Sequence, residues 1–135
     1  MAHVISFVVP QEYIDCYNHV HYKDYLNIFQ NARMEFLAKR GISLTDLERE
    51  NIRLVTRRIE IEYIHELLLG DSIKIYTDIS RIGRTSVVFS QSIVRGDDGT
   101  ATTCKQVFVL IDGTTRLKIA IPEELCVKLL SEYLM

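Results

Sequence analysis

The sequence predicts an α+β domain in which an antiparallel sheet of five to six strands wraps around one long central helix. Between residues 22 and 37, apolar residues recur at spacings of three and four, the period of an amphipathic helix. Between residues 51 and 121, apolar and polar residues alternate in segments separated by turns, as in antiparallel strands. The apolar face of the helix and that of the sheet must cover each other, because neither is stable in water.

Size and composition predict a single domain over residues 1–135. The chain is 47% hydrophobic and 25% charged, which is ordinary for a globular protein. Its net charge of −2 lacks the basic surplus of a nucleic-acid-binding protein. Three widely spaced cysteines indicate free thiols in a reducing compartment. Because neither a secretory signal nor a long uncharged segment is visible, we expect a cytoplasmic protein without a membrane partner.

The N-terminal part of the chain is predicted to contain a strand, a polar segment and two helices. The strand covers residues 3–9 and ends at Pro10, which lacks the N–H that a ladder needs. One face of the long helix is expected to hold Tyr22, Tyr25, Leu26, Phe29, Ala32, Phe36 and Leu37. Gly41 is a typical left-handed helix stop, and Ser43 followed by Asp46 predicts the start of a short second helix.

The rest of the chain is predicted to form consecutive strands and a closing helix. The strands are expected at residues 55–63, 73–79, 85–94, 105–111 and 116–121. Turns are expected at Gly70-Asp71, at Gly83, at residues 96–99 and at Asp112-Gly113. Pro122 suits the first turn of the last helix.

A sheet wrapped around a helix is called a hotdog fold, and one segment carries a more specific resemblance. DCYNHVHYKDYLNIFQNAR, residues 15–33, resembles the 4-hydroxybenzoyl-CoA thioesterase family of hotdog proteins. The family pattern is roughly D-x-D-x-x-G-H-V-x-x-x-x-Y, followed by an aromatic residue, an acid and Ala-Arg. Asp15 falls on its second, catalytic aspartate, and the later matches are Tyr25, Phe29, Ala32 and Arg33. The resemblance implies a cofactor-free thioesterase acting on acyl-CoA or an acyl carrier protein.

Three positions depart from the family pattern. Tyr13 replaces the first aspartate, and Asn18 replaces a glycine in the turn. Asparagine adopts the left-handed conformation more readily than most residues, so the turn is expected to form. Gln30 stands where many members carry glutamate, which concentrates the expected chemistry on Asp15.

The predicted chemistry combines a carboxylate with a helix N-terminus. Asp15 would act as nucleophile or general base, while free N–H groups of the following helix stabilise the oxyanion. Alignment with the family assigns the oxyanion donor to the backbone N–H of Tyr22. His19 and Tyr25 are expected at the substrate, with His19 also bracing the loop by hydrogen bonds.

The resemblance also implies an assembly. Family members pair two subunits edge to edge and often associate further, so we expect a homodimer and a dimer of dimers. Segments 85–94 and 105–111 are rich in apolar residues, so we expect the strand edges to be covered by a second subunit. Arg81 and Arg84 are candidate cations for the CoA phosphates, although isolated turn cations are often only solvated.

Several alternatives stay open at this point. Asp15 could simply cap a helix turn or pair with a cation, and Cys16 could be a nucleophile, although no base is positioned by spacing. His19 and His21 suggest a metal, but no further ligand has a recognised spacing, so no metal is expected. A hotdog hydratase or dehydratase and a non-catalytic acyl-thioester binding module remain alternatives to the thioesterase. The acyl group is not specified by these residues.

Overall fold

A computed structural model describes residues 3–96 and 99–131 as an α+β structure. The strands are β1 (His3–Val8), β2 (Ile52–Tyr63), β3 (Ser72–Ile82), β4 (Ser86–Arg95) and β5 (Thr100–Asp112). The helices are α1 (Asp24–Lys39), α2 (Leu44–Arg49) and α3 (Glu123–Leu130), and a 3₁₀ turn covers Gln11–Tyr13. Asp97 and Asp98 of the predicted turn at residues 96–99 lie outside the described residues.

The described strands form one antiparallel sheet of five strands in the order β1-β3-β4-β5-β2. The predicted antiparallel sheet is therefore confirmed. Segments 85–94 and 105–111 do not form its edges, however, because β4 and β5 are paired on both sides. One outer strand is β2, whose side chains Val55, Ile59 and Tyr63 are 39–49% exposed.

The predicted strand at residues 116–121 is wrong. After the turn that begins at Asp112, the described residues up to 131 make only one isolated bridge, between Ile111 and Lys118. Because β2 and β4 already pair with most of β5, only the end of β5 is left for the returning segment. The Ile119 N–H donates to the Leu110 carbonyl at 3.0 Å, and the segment then turns away into α3.

Helix α1 packs its buried face against the sheet. The first half of this face lies in one cluster with Ile73, Ile75 and Ile93, and the second half lies with Phe89 and Phe108. The buried residues of the helix are Tyr25, Ile28, Phe29, Ala32, Phe36 and Leu37. None of the described helices is both long and apolar enough to cross a membrane.

Two residues of the predicted apolar face were assigned incorrectly. Tyr22 is 67% exposed because α1 begins only at Asp24, so Tyr22 precedes the helix. Leu26 is 41% exposed, and the buried position one turn before Ala32 belongs to Ile28, at 2% exposure. Helix α1 is therefore rotated so that Ile28 rather than Leu26 is buried. Spacings of three and four residues are compatible with either position.

The predicted helix boundaries around residue 41 are confirmed. Gly41 has a φ of 71°, the left-handed conformation that ends α1. The Ser43 hydroxyl then accepts hydrogen bonds from the N–H groups of Thr45 at 3.1 Å and Asp46 at 3.4 Å. This cap satisfies donors that the first turn of α2 leaves unpaired.

Candidate active site

The loop that carries Asp15 is closed by its own backbone and rests on the β2–β3 connection. The Asp15 N–H donates to the His19 carbonyl at 3.0 Å, and the Asn18 N–H donates to the Asp15 carbonyl at 3.1 Å. Asn18 supplies the left-handed turn between them, with a φ of 63°, as predicted. The Val20 N–H then donates to the Leu67 carbonyl at 2.8 Å. Asp15 is thus held in place before α1 begins.

The two oxygens of the Asp15 carboxylate have different surroundings. Oδ1 accepts the Tyr17 N–H at 2.9 Å, whereas Oδ2 lies 3.7 Å from Nδ1 of His19. That same His19 nitrogen lies 3.1 Å from the Val20 carbonyl oxygen, which orients the ring. One carboxylate oxygen is therefore anchored by the loop, and Oδ2 receives no hydrogen bond from a described residue.

A pocket of about 520 Å³, here called the Asp15 pocket, opens beside this carboxylate. Its lining includes Asp15, His19, Tyr22 and Tyr25, four of the predicted site residues. The volume lies in the range of small-molecule sites. The structure therefore brings these four residues together around one space.

The backbone immediately before α1 leaves the N–H of Tyr22, a residue of the pocket lining, without a hydrogen bond to another described residue. The Lys23 N–H donates to Nδ1 of His21 at 3.2 Å, and the Asp24 N–H donates to the His21 carbonyl at 2.9 Å. Among the described residues, the Tyr22 N–H has no acceptor. A free N–H at the positive end of a helix is suited to bind a developing negative charge.

Tyr63, at the end of β2, lines the Asp15 pocket and was missed by the sequence analysis. Its hydroxyl donates to the Tyr22 carbonyl at 3.4 Å, and its ring packs edge-on against Tyr25 with centroids 4.9 Å apart. The Tyr25 hydroxyl in turn accepts the Leu67 N–H at 3.3 Å. Burial raises the pKa of Tyr25, although the hydrogen bond from Leu67 opposes this, so the hydroxyl stays neutral. An aromatic residue closing an alternating strand was the only available signal for Tyr63.

Arg81 and Arg84 lie far from the Asp15 pocket within one chain. The strand registers place Tyr63, in the pocket lining, level with Ile75 of β3, whereas Arg81 lies six residues further along that strand. Six residues of strand correspond to roughly 20 Å. Neither arginine lines the pocket. Their role at CoA stays a prediction that requires a second subunit.

The two histidines of the segment have separate environments. His19 lies near Asp15, whereas Nδ1 of His21 accepts a backbone N–H and its ring stacks on Tyr22 with centroids 4.6 Å apart. Across residues 3–96 and 99–131, no three His, Cys, Asp or Glu side chains are grouped to hold a metal ion. Cys16 is exposed and lines the Asp15 pocket.

Comparison with known families identifies the chain. Residues 8–129 match the family model described as the thioesterase-like superfamily. The chain belongs to this superfamily. The predicted membership of the thioesterases, which are hydrolases, is thereby confirmed.

Individual relatives agree with this membership. The thioesterase is 27% identical over 106 residues to the acyl-CoA thioester hydrolase YbgC of Escherichia coli, covering 78% of this chain and 79% of YbgC. A Staphylococcus aureus protein solved in complex with CoA superposes with a TM-score of 0.88 at 26% identity, covering 95% and 81% of the two chains. A 1,4-dihydroxy-2-naphthoyl-CoA thioesterase from Synechocystis shares the fold, with a TM-score of 0.88 at 14% identity and 96% coverage of both chains.

Proposed function

We propose that this thioesterase hydrolyses an acyl-CoA, or the equivalent acyl carrier protein thioester, to a free acid and a thiol. The supporting observation is that the Asp15 carboxylate and the Tyr22 peptide, whose N–H is free, border the same pocket. The relative named as an acyl-CoA thioester hydrolase and the similar structure that holds CoA support the substrate class. The chemistry needs no metal or organic cofactor.

The proposed mechanism places the thioester carbonyl oxygen at the Tyr22 N–H. In one route, Asp15 attacks the carbonyl carbon, the C–S bond breaks, the thiolate leaves, and water hydrolyses the resulting anhydride. In the other route, Asp15 takes a proton from water, the hydroxide adds to the carbonyl, and the proton passes to the departing thiolate. Both routes develop negative charge on the oxygen that the N–H stabilises. An anhydride trapped on the Asp15 peptide would select the first route.

We also infer the complete hotdog arrangement, with α1 as the central helix, and a homodimer that can pair into a dimer of dimers. The long outer strand β2 has an unpaired edge and exposed apolar side chains, which favour covering by a second copy. An antiparallel pair of β2 strands about a two-fold axis would make both sites identical. The partner could then supply Arg81 and Arg84 to CoA.

The function is tested by thiol release from a panel of acyl-CoAs, followed with a thiol-reactive dye. Asp15→Asn keeps the side-chain shape but removes the charge, so turnover should fall at least about a hundredfold. Asp24→Asn is the matched control for charge, because Asp24 lies outside the pocket lining. Cys16→Ser is the matched control for the neighbouring thiol. Both controls should keep turnover within a few-fold of the parent.

Three outcomes would redirect the proposal. Turnover of Asp15→Asn close to that of the parent would remove Asp15 from the chemistry. Binding of acyl-CoA without thiol release would favour the non-catalytic binding module. Addition of water to an enoyl-CoA, with the thioester intact, would favour the hydratase.

The dimer is tested separately by analytical ultracentrifugation of the parent and Val55→Lys. Val55 lies on β2 and is 41% exposed, so a lysine there should weaken pairing without unfolding the chain. Activity should fall together with the dimer on dilution. A fully active monomer would contradict the shared site.

A further inference from the structure

Arg33, on the sheet-facing side of α1, is held by neutral groups. One of its terminal nitrogens, Nη1, donates to Oε1 of Gln91 at 3.3 Å and to Oε1 of Gln106 at 3.1 Å. The guanidinium also lies over the Phe108 ring, 4.8 Å from its centroid. Both glutamines are almost fully buried and anchored by their amide N–H groups, Gln91 to the Phe29 carbonyl and Gln106 to the hydroxyl of Thr56. The cation is therefore oriented rigidly by amide oxygens and an aromatic ring.

The charge of Arg33 has no ion-pair partner among the described carboxylates. Burial lowers the pKa of Arg33, although an arginine remains protonated at all ordinary pH values. A partly buried cation without an anion is costly, because it has lost water without gaining a counter-charge.

The remaining donors of Arg33 are available for a ligand. The two glutamine oxygens use both N–H bonds of Nη1, which leaves Nε–H and the two N–H bonds of Nη2. These groups have no acceptor among the described residues, and Arg33 lines a pocket of about 550 Å³. The Nε and Nη2 side of a guanidinium matches the two oxygens of a carboxylate.

The rest of this pocket, here called the Arg33 pocket, is mainly apolar. Leu37, Leu47, Leu54, Phe89 and Phe108 contribute to its wall. Glu48 and Arg53 also line it, but Glu48 forms no ion pair with Arg33 among the described residues. A mainly apolar pocket whose charged side chains are two cations and one carboxylate is complementary to a molecule with one anionic end and a hydrocarbon body.

We propose that the Arg33 pocket binds a monocarboxylic acid with an apolar chain, its carboxylate held bidentately by Nε and Nη2 of Arg33. The Arg33 pocket and the Asp15 pocket share no lining residue, and nine residues of α1, about 13 Å of helix, separate Arg33 from Asp24 at the helix start. Binding in the Arg33 pocket does not depend on hydrolysis, so this proposal can be correct whether or not the proposed thioesterase function is correct.

The experiment measures direct binding of a chain-length series of saturated fatty acids by isothermal titration calorimetry, below their micelle concentrations. Each acid is compared with the primary alcohol of the same length. Because charge-assisted bidentate bonds are strong, the best acid should bind at least about tenfold more tightly than its alcohol. Arg33→Gln should reduce the affinity for the acid to that for the alcohol. Equal binding of acid and alcohol by the parent protein would overturn the proposal.

Further variants localise the binding and guard against misfolding. Leu54→Trp fills the apolar wall while keeping Arg33, so it should abolish binding even where Arg33→Gln fails to fold. Arg49→Gln removes one cation from the neighbouring helix α2 outside the pocket and should leave the affinity unchanged. Asp15→Asn should also leave it unchanged. If CoA competes with the acid, or Leu54→Trp still binds it, the acid occupies another site and the proposal is wrong.

Discussion

The Asp15 pocket and the Arg33 pocket lie along the same helix but come from different parts of the chain. The carboxylate, the Tyr22 N–H and three of the four tyrosines of the Asp15 pocket all belong to residues 15–25. The amide groups that orient Arg33 lie 58 and 73 residues away in sequence. The first site is a local motif held by its own loop, whereas the second exists only where β4 and β5 meet α1. This difference predicts that mutations should act mainly on chemistry in the first pocket and on stability in the second.

The largest expected effect concerns the free N–H of the local motif. Tyr22→Pro removes this donor before α1 begins, where proline is tolerated and no protein hydrogen bond is lost. Turnover of acyl-CoA should fall about a hundredfold, the usual cost of losing one oxyanion donor. Tyr22→Phe keeps the N–H and serves as the control. Steady-state kinetics measure this effect. A turnover of Tyr22→Pro within fivefold of the parent would exclude the Tyr22 N–H as the oxyanion donor.

The second prediction examines the pocket that is assembled over long range. Gln106→Met removes one of the two amide oxygens that hold the half-buried Arg33, and also the amide that donates to the exposed Thr56 hydroxyl. Unfolding by urea should show a loss of about 1–3 kcal/mol, the cost of leaving a donor of Arg33 without its acceptor. The same substitution at the exposed Gln30 should change stability by less than about 0.5 kcal/mol. Equal losses of stability for Gln106→Met and Gln30→Met would show that the hydrogen bonds of Gln106 do not stabilise the protein.

The third prediction concerns a long-range contact of the Asp15 pocket. Tyr63→Phe removes the hydroxyl that donates to the Tyr22 carbonyl, a bond worth about 1 kcal/mol. If Tyr63 positions the oxyanion peptide, kcat should fall about fivefold while KM changes little. Tyr17→Phe, at an exposed residue of the same pocket, should leave both constants unchanged. An effect on KM alone would assign Tyr63 to substrate binding.

The smallest expected effect concerns the backbone of the Asp15 loop. Asn18→Ala places an ordinary residue at a φ of 63° and should cost about 0.5–1 kcal/mol of stability. Asn18→Gly should be close to neutral, because glycine adopts this conformation freely. Thermal unfolding of the two variants provides the measurement. If alanine is as stable as glycine here, the loop does not depend on the left-handed turn.

The features predicted correctly from the sequence are those that neighbouring residues determine. The left-handed turn at Asn18, the helix stop at Gly41 and the Ser43 cap each depend on a few adjacent residues. The alternation in β3 also agrees with the structure, since Ile73, Ile75 and Thr77 are buried. In the Asp15 pocket, the family pattern located the carboxylate because the motif is continuous in sequence.

The features that were missed or wrong depend on which segments meet in space. The alternation of apolar and polar residues does not show that β2 pairs with β5 at the edge of the sheet. Nor does it show that β5 leaves no room for a strand at residues 116–121. Likewise, spacing could not choose between Ile28 and Leu26 for the buried face, because the sheet decides the rotation of the helix. The sequence by itself determined the elements and the local motif around Asp15. Only the tertiary structure decided the edge strands, the contact of Tyr63 with Tyr22 and the setting of Arg33, because side-chain contacts between distant segments follow from strand order and register.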